Sequence, residues 1–242
     1  MTKETNIEKI KDMAILFLHL DIKETQFPWL IQHPFWNTPF LPYEGQMVNI
    51  LEEPQIYQKI IKNKEEKIRT LEDVSSILLC INKPYRLTFL KYIREYMSIK
   101  DFSYFLGEIW ISSENPNQDM NVSTAMASRW FKKADKRYLM NDKEYQIYYN
   151  LPETLKVYRG VSVGRNPNGL SWTDDYSKAV WFAHRFDSKN QKGYVRGGEI
   201  KKKDILAYFS RRGEKEIVMD PKCLIAHSES DSQLSIKQNT KK

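Results

Sequence analysis

The run Leu151-Pro152-Glu153-Thr154-Leu155-Lys156-Val157-Tyr158-Arg159-Gly160 decides the fold, because the hydrophobic period changes across it. Before Pro152, apolar residues recur every three or four positions, the helical period; from Leu155 they alternate with polar ones, the period of a half-buried strand. Proline has no N–H to continue a helix, so Pro152 closes the helical section. Downstream, strands are expected at 155–159, 193–200, 205–209, 216–219 and 223–226. A helix over 174–186 interrupts them, with Val180, Phe182, Ala183 and Phe186 mostly inward.

Upstream, Ile7, Ile10, Met13, Phe17 and Leu20 mark one amphipathic helix whose stripe another element must cover. Residues 26–45 hold Pro28, Pro34, Pro39 and Pro42 among Trp29, Phe35, Trp36, Phe40 and Tyr43, which predicts an irregular aromatic crossing. Further helices are expected at about 55–67, 72–82, 84–98, 101–110 and 122–134. Another is opened by Asn141, with Glu144 in the capping-box position. The fold class is therefore α+β: a helical N-terminal region over 1–120, a mixed-sheet unit over 121–228, and a Ser/Gln/Lys-rich tail over 229–242 expected to fray.

At 242 residues, with 41% hydrophobic residues, the chain has enough apolar mass for a core without staples. The two cysteines, Cys80 and Cys223, exclude a disulfide framework and fit a reducing compartment; with no long apolar run, a cytoplasmic protein without a membrane span is expected. Charge is unevenly placed. Residues 1–150 carry 20 Lys/Arg and 20 Asp/Glu, residues 151–242 carry 18 and 11, so the whole net charge of +7 belongs to the C-terminal part. That favours an anionic partner, against the plainer reading of a solvated basic surface.

Common chemical motifs are missing. The four histidines, His19, His33, His184 and His227, have no metal-ligand spacing. Gly169-Leu170-Ser171-Trp172-Thr173 lacks the second glycine of a nucleophile elbow, and no dinucleotide-binding glycine run or P-loop is present. Cys223 and His227 lack an orienting third group, so a structural role is expected of them.

Three short stretches remain: Tyr158-Arg159-Gly160, Ser171-Trp172-Thr173 and Glu214-Lys215-Glu216. The first sets a planar cation beside a residue without a side chain. In the second, alternation sends both hydroxyls toward a cleft and the indole toward a core. In the third, strand periodicity would set two carboxylates on one face, which costs self-repulsion unless a cation or reacting group lies beside them. Each also reads as ordinary strand patterning.

In order and spacing these stretches resemble the Arg-Ser-Glu class of ADP-ribosyltransferases, over roughly 151–225. The middle motif of that class reads Ser-Thr-Ser or a near variant, whereas here it is Ser-Trp-Thr. The resemblance implies NAD as a consumed co-substrate. It implies that Glu216 holds the ribose hydroxyl and faces the developing oxocarbenium ion, and that Arg159 grips the phosphates. Gly160 would offer backbone to the nicotinamide amide, Ser171 would orient Glu216, and Thr173 and Phe182 would complete the cofactor cleft. Glu214 would engage the acceptor and take its proton, and no metal is implied. A glutamate in that place accompanies arginine modification in the class, whereas the basic residues nearby favour nucleic acid as acceptor. The implied function is a toxin-like or phage–host-conflict mono-ADP-ribosyltransferase acting on an intracellular protein or nucleic acid, with an antitoxin or immunity protein as a possible partner. The alternatives are an NAD glycohydrolase and a non-catalytic nucleic-acid-binding module.

Overall fold

The computed structural model describes residues 1–211 and 213–225, so Arg212, His227 and the expected tail lie outside the described residues. The chain divides into two compact units, Met1–Ser123 and Thr124–Lys242. Each has a core of its own, and the class is α+β.

In the first unit, α1 (Ile7–Leu18) is capped by the Asn6 side chain accepting from the Lys9 N–H. It buries Ile10, Ala14, Phe17 and Leu18, whereas Leu20 lies past the helix end and is exposed. The expected aromatic crossing contains two small hairpins instead. The first pairs β1 (Lys23–Glu24) with β2 (Ile31–Gln32); the second pairs β3 (Phe40–Tyr43) with β4 (Gln46–Asn49). Glu44 and Gly45 both have positive φ, 47° and 79°, as a two-residue hairpin turn requires. Pro42 is tolerated because a two-stranded ribbon has only edges, where a missing donor costs no ladder bond. The helices α2 (Pro54–Arg69), α3 (Val74–Cys80), α4 (Lys83–Ile93) and α5 (Ile99–Ser112) follow. α1 packs on α2, α3 and α4, and α5 on α4, closing a core with Phe89, Phe102 and Trp110 fully buried.

The second unit begins with α6 (Thr124–Lys133), α7 (Lys136–Leu139) and α8 (Asp142–Tyr149), of which the single turn α7 was not expected. Asn141 and Glu144 form the capping box in both directions. Then come β5 (Thr154–Val161), β6 (Ser171–Thr173), α9 (Tyr176–His184), β7 (Tyr194–Lys201), β8 (Ile205–Phe209) and β9 (Glu216–Met219). The five strands form one sheet in the order β7-β5-β6-β9-β8, and where a mixed sheet was expected every pairing is antiparallel. The expected strand at 223–226 is absent from the described part. Pro221–Cys223 is a 3-10 turn, and Ile225 makes only a single bridge to Glu199.

The edge strand β8 is buried at all five positions. Lys136 Nζ donates to the carbonyls of Ile205 and Leu206 at 3.2 and 2.9 Å, and the Met140 sulfur accepts the Tyr208 N–H at 3.3 Å. An edge covered in this way offers no template for another chain. α9 lies on the sheet over β5. A Cβ on Gly160 would meet the Ala179 carbonyl oxygen at 2.1 Å, so the glycine is what lets helix and strand approach. Ala179 and Ala183 are the buried face of α9, while Phe186, expected inward, is 52% exposed because it lies beyond the helix end.

Candidate active site

The three stretches singled out in the sequence stand on three neighbouring strands. Tyr158 on β5 pairs with Thr173 on β6, and Thr173 pairs with Glu216 on β9. Residues directly opposite in an antiparallel pair share a face, so Tyr158, Thr173 and Glu216 form one row across the sheet. Ser171 pairs with Val218, which places it on the same face but two positions along from Glu216. Thr173, not Ser171, is therefore the hydroxyl residue opposite the glutamate.

Arg159, expected to grip phosphates, has its guanidinium engaged with backbone carbonyls. Its strand is regular, and Arg159 pairs with Arg196 of β7, so it leaves β5 on the face opposite to Tyr158 and Glu216. Its Nη1 donates to the Ser171 carbonyl at 2.5 Å and its Nη2 to the Asn166 carbonyl at 2.9 Å; its Nε is buried without a partner. Burial pushes this guanidinium down to about 10; the Glu216 carboxylate opposes that shift, and nearby Arg196 adds to it. Arg159 thus ties β5 to β6 and to the 162–170 loop and stays within electrostatic reach of Glu216. A fork wholly free for phosphates is not what the structure holds.

Gly160, expected to offer backbone to a ligand, is occupied by its close approach to α9. Phe182 lies half-buried on α9, its ring 4.9 Å from that of Trp181, and its carbonyl accepts from the Ser162 hydroxyl. Trp172 is buried as expected, its Nε1 donating to the Gly169 carbonyl at 3.0 Å.

The expected shared face of Glu214 and Glu216 is not formed. β9 begins at Glu216, and Lys215 before it has φ 47°, a left-handed conformation that breaks the two-residue alternation. Glu214 sits in the turn, where its carbonyl accepts the Thr173 hydroxyl at 3.1 Å. The same hydroxyl accepts from the Asp175 N–H at 3.1 Å, so one side chain joins the start of α9 to the glutamate turn. The neighbouring Asp174 has Oδ1 buried with no hydrogen-bond partner; burial pushes its pKa up, and Lys215 partly offsets this.

The other end of the glutamate turn is fixed from α8. Glu144 is fully buried, and its Oε1 accepts from the backbone N–H groups of Ser210 and Arg211 at 2.8 and 3.2 Å, and from Arg211 Nε at 3.2 Å. Its Oε2 accepts from the Asn141 N–H at 3.1 Å. The capping-box signal marked this residue, but only the fold shows that its free oxygen holds the segment leading to Glu214. Burial raises the Cys223 thiol, which weighs against a nucleophile there; His227 lies outside the described residues.

Among the described residues no group of three His, Cys, Asp or Glu side chains is placed to hold a metal ion, and no helix is long and apolar enough to cross a membrane. A cavity of about 310 Å³ opens in the first unit, lined by Trp36, Leu41, Tyr43, Ile60, Lys64 and Lys67 among others. Compared with protein-family models, curated proteins and solved structures, the chain matches none.

Proposed function

We propose that the second unit is a mono-ADP-ribosyltransferase that cleaves NAD and passes ADP-ribose to a macromolecule. The observation that carries this reading is the convergence of three separate stretches onto adjacent strands, with Thr173 opposite Glu216 and Arg159 anchored against β6. In the reaction the bond between ribose C1′ and the nicotinamide nitrogen breaks, its electron pair leaving with nicotinamide. Positive charge grows on the ribose. The Glu216 carboxylate stabilises that charge, by roughly 4 kcal/mol for unit charges at ~4 Å and an effective dielectric near 20.

A nucleophile of the acceptor then bonds to C1′, and its proton passes to Glu214, whose turn is held by Thr173 on one side and Glu144 on the other. Thr173 and Glu144 are positioning residues in this scheme, and Arg159 supports the β5–β6 wall with Glu216 within its electrostatic reach. The basic C-terminal part suits an anionic target.

The test is incubation of the full chain with NAD labelled in its adenylate half and with separate protein, RNA and DNA pools. Label should transfer to one pool and be lost with Glu216→Gln. Transfer that survives Glu216→Gln, or nicotinamide release that no macromolecule alters, would overturn the reading; the second result would assign the site to NAD hydrolysis.

A further inference from the structure

A cluster of aromatic and arginine side chains at the end of α9 has no part in the chemistry above. Trp181 and Phe186 are 58% and 52% exposed. Arg185 lies over three rings, 5.8 Å from Trp181, 5.3 Å from Phe182 and 4.6 Å from Phe186, and Arg165 lies 5.6 Å from Phe186 on its own account. Single exposed rings are ordinary, but rings gathered with guanidinium groups into one contiguous patch mark an interaction surface.

The cations around them gather on one loop. Arg165 belongs to it, Arg159 is bound to its Asn166 carbonyl, and Arg196 donates to the Pro167 carbonyl and the Asn168 Oδ1 at 2.8 and 2.9 Å. Arg196 is close enough to Arg159 to disfavour the charge on it. Between residues 176 and 196 the chain carries Lys178, Arg185, Lys189, Lys192 and Arg196 against one acid, Asp187. That carboxylate is engaged with His184 Nδ1 at 2.9 Å and the Gly193 N–H at 2.8 Å. Like charges crowded on a surface are relieved by a polyanion, and exposed rings beside them are platforms on which bases stack. An apolar protein partner would use the rings but gain nothing from the cations.

We propose that Trp181, Phe186, Arg185 and Arg165 form a docking surface for single-stranded nucleic acid, the rings taking bases and the guanidinium groups taking phosphates. This names the acceptor of the transfer proposed above and rests on that reading for the chemistry, though not for the binding. The duplex is excluded as the preferred form because its bases are already stacked on one another and present only edges.

Fluorescence anisotropy of the full chain with a short labelled strand of RNA, the same strand of DNA, their duplexes and an acidic peptide, over a salt series, tests the surface. Both single strands should bind ahead of the duplexes, and the two arms decide which sugar is preferred. Trp181→Ala with Phe186→Ala should weaken strand binding by about tenfold or more. Arg165→Ala should lower the salt slope by about 0.7 for the lost phosphate contact. Both ring positions are exposed, so the double variant should fold, with an unchanged melting temperature as the control. Equal binding by the ring variant, a preference for duplex, or ring-dependent capture of the acidic peptide alone would each overturn the proposal. Glu216→Gln should bind strands normally. Normal binding without any label transfer would sink the enzymatic reading and leave this surface standing, and transfer that ignores the ring variant would do the reverse.

Discussion

His33 shows how much one side chain can be made to answer for. Its Nε2–H donates to the Leu20 carbonyl at 3.1 Å and its Nδ1 accepts the Phe35 N–H at 3.1 Å, which fixes the neutral ring in one tautomer. The ring stacks on Trp36 at 4.7 Å. Burial pushes its pKa down from the ordinary 6.5 to about 4, with the bond to Leu20 opposing the shift. A depressed histidine binds its proton in the unfolded chain before the folded one does, so stability rises with pH between about 4 and 6.5 and falls as acid is added through that window. The contribution is on the order of 1–3 kcal/mol. Thermal melts at the two ends of the window should show it, and His33→Asn should flatten the profile; an unchanged slope would remove this histidine from the account. Lys136 is the opposite case in charge, though not in direction. Burial takes its pKa down to about 8, so its ammonium strains the fold at neutral pH and that strain eases as pH rises from about 8 toward 10.5. Melts over that alkaline range should show a gain in the wild type that Lys136→Met lacks.

Among the elements, α8 and α9 do most to shape the site, and they differ in how far sequence discloses them. The capping box at Asn141 and Glu144 was legible because it is local: two residues three apart, each satisfying the other's backbone. The bonds from Glu144 to Ser210 and Arg211 were not legible, since they join positions far apart and depend on β8 ending beside α8. Replacing Glu144 by alanine leaves several buried donors without acceptors, and should cost about 3–5 kcal/mol in urea denaturation. Limited proteolysis should then cut first near 210–215. A variant as stable and as protease-resistant as the wild type would show that the clamp carries no load.

The strands of the second unit were legible by alternation, but Lys215 was not, because a left-handed residue leaves no periodic trace and silently rotates Glu214 out of register with Glu216. Arg159 illustrates the same limit. Alternation places it on the face away from Tyr158, but its engagement with Ser171 and Asn166 depends on how the 162–170 loop returns. Gly160, expected to offer backbone to the nicotinamide, is packed closely against α9, so Gly160→Ala should destabilise the unit by about 1–3 kcal/mol, whether or not NAD is present, as α9 is forced outward. A loss seen only in NAD affinity would contradict that assignment.

For the molecule as a whole, two units of different character share one chain. The first carries 14 Lys/Arg against 17 Asp/Glu and places its aromatic residues in a helical core and two hairpins, and the second carries 24 against 14, with the antiparallel sheet and all the residues of the proposed site. The α+β class, helices first and strands after, followed from the switch of period at Leu155. The hairpins in 26–45 did not, since prolines mask a ribbon that consists only of edges. The proposed chemistry rests on Glu216 confronting a ribose that is losing nicotinamide. The most direct measurement is nicotinamide release from NAD by the full chain, followed by chromatography, beside Glu216→Gln at matched stability. The account predicts release by the wild type and a fall of at least about a hundredfold in the variant. Equal rates in the two proteins, or no release with any acceptor supplied, would contradict it.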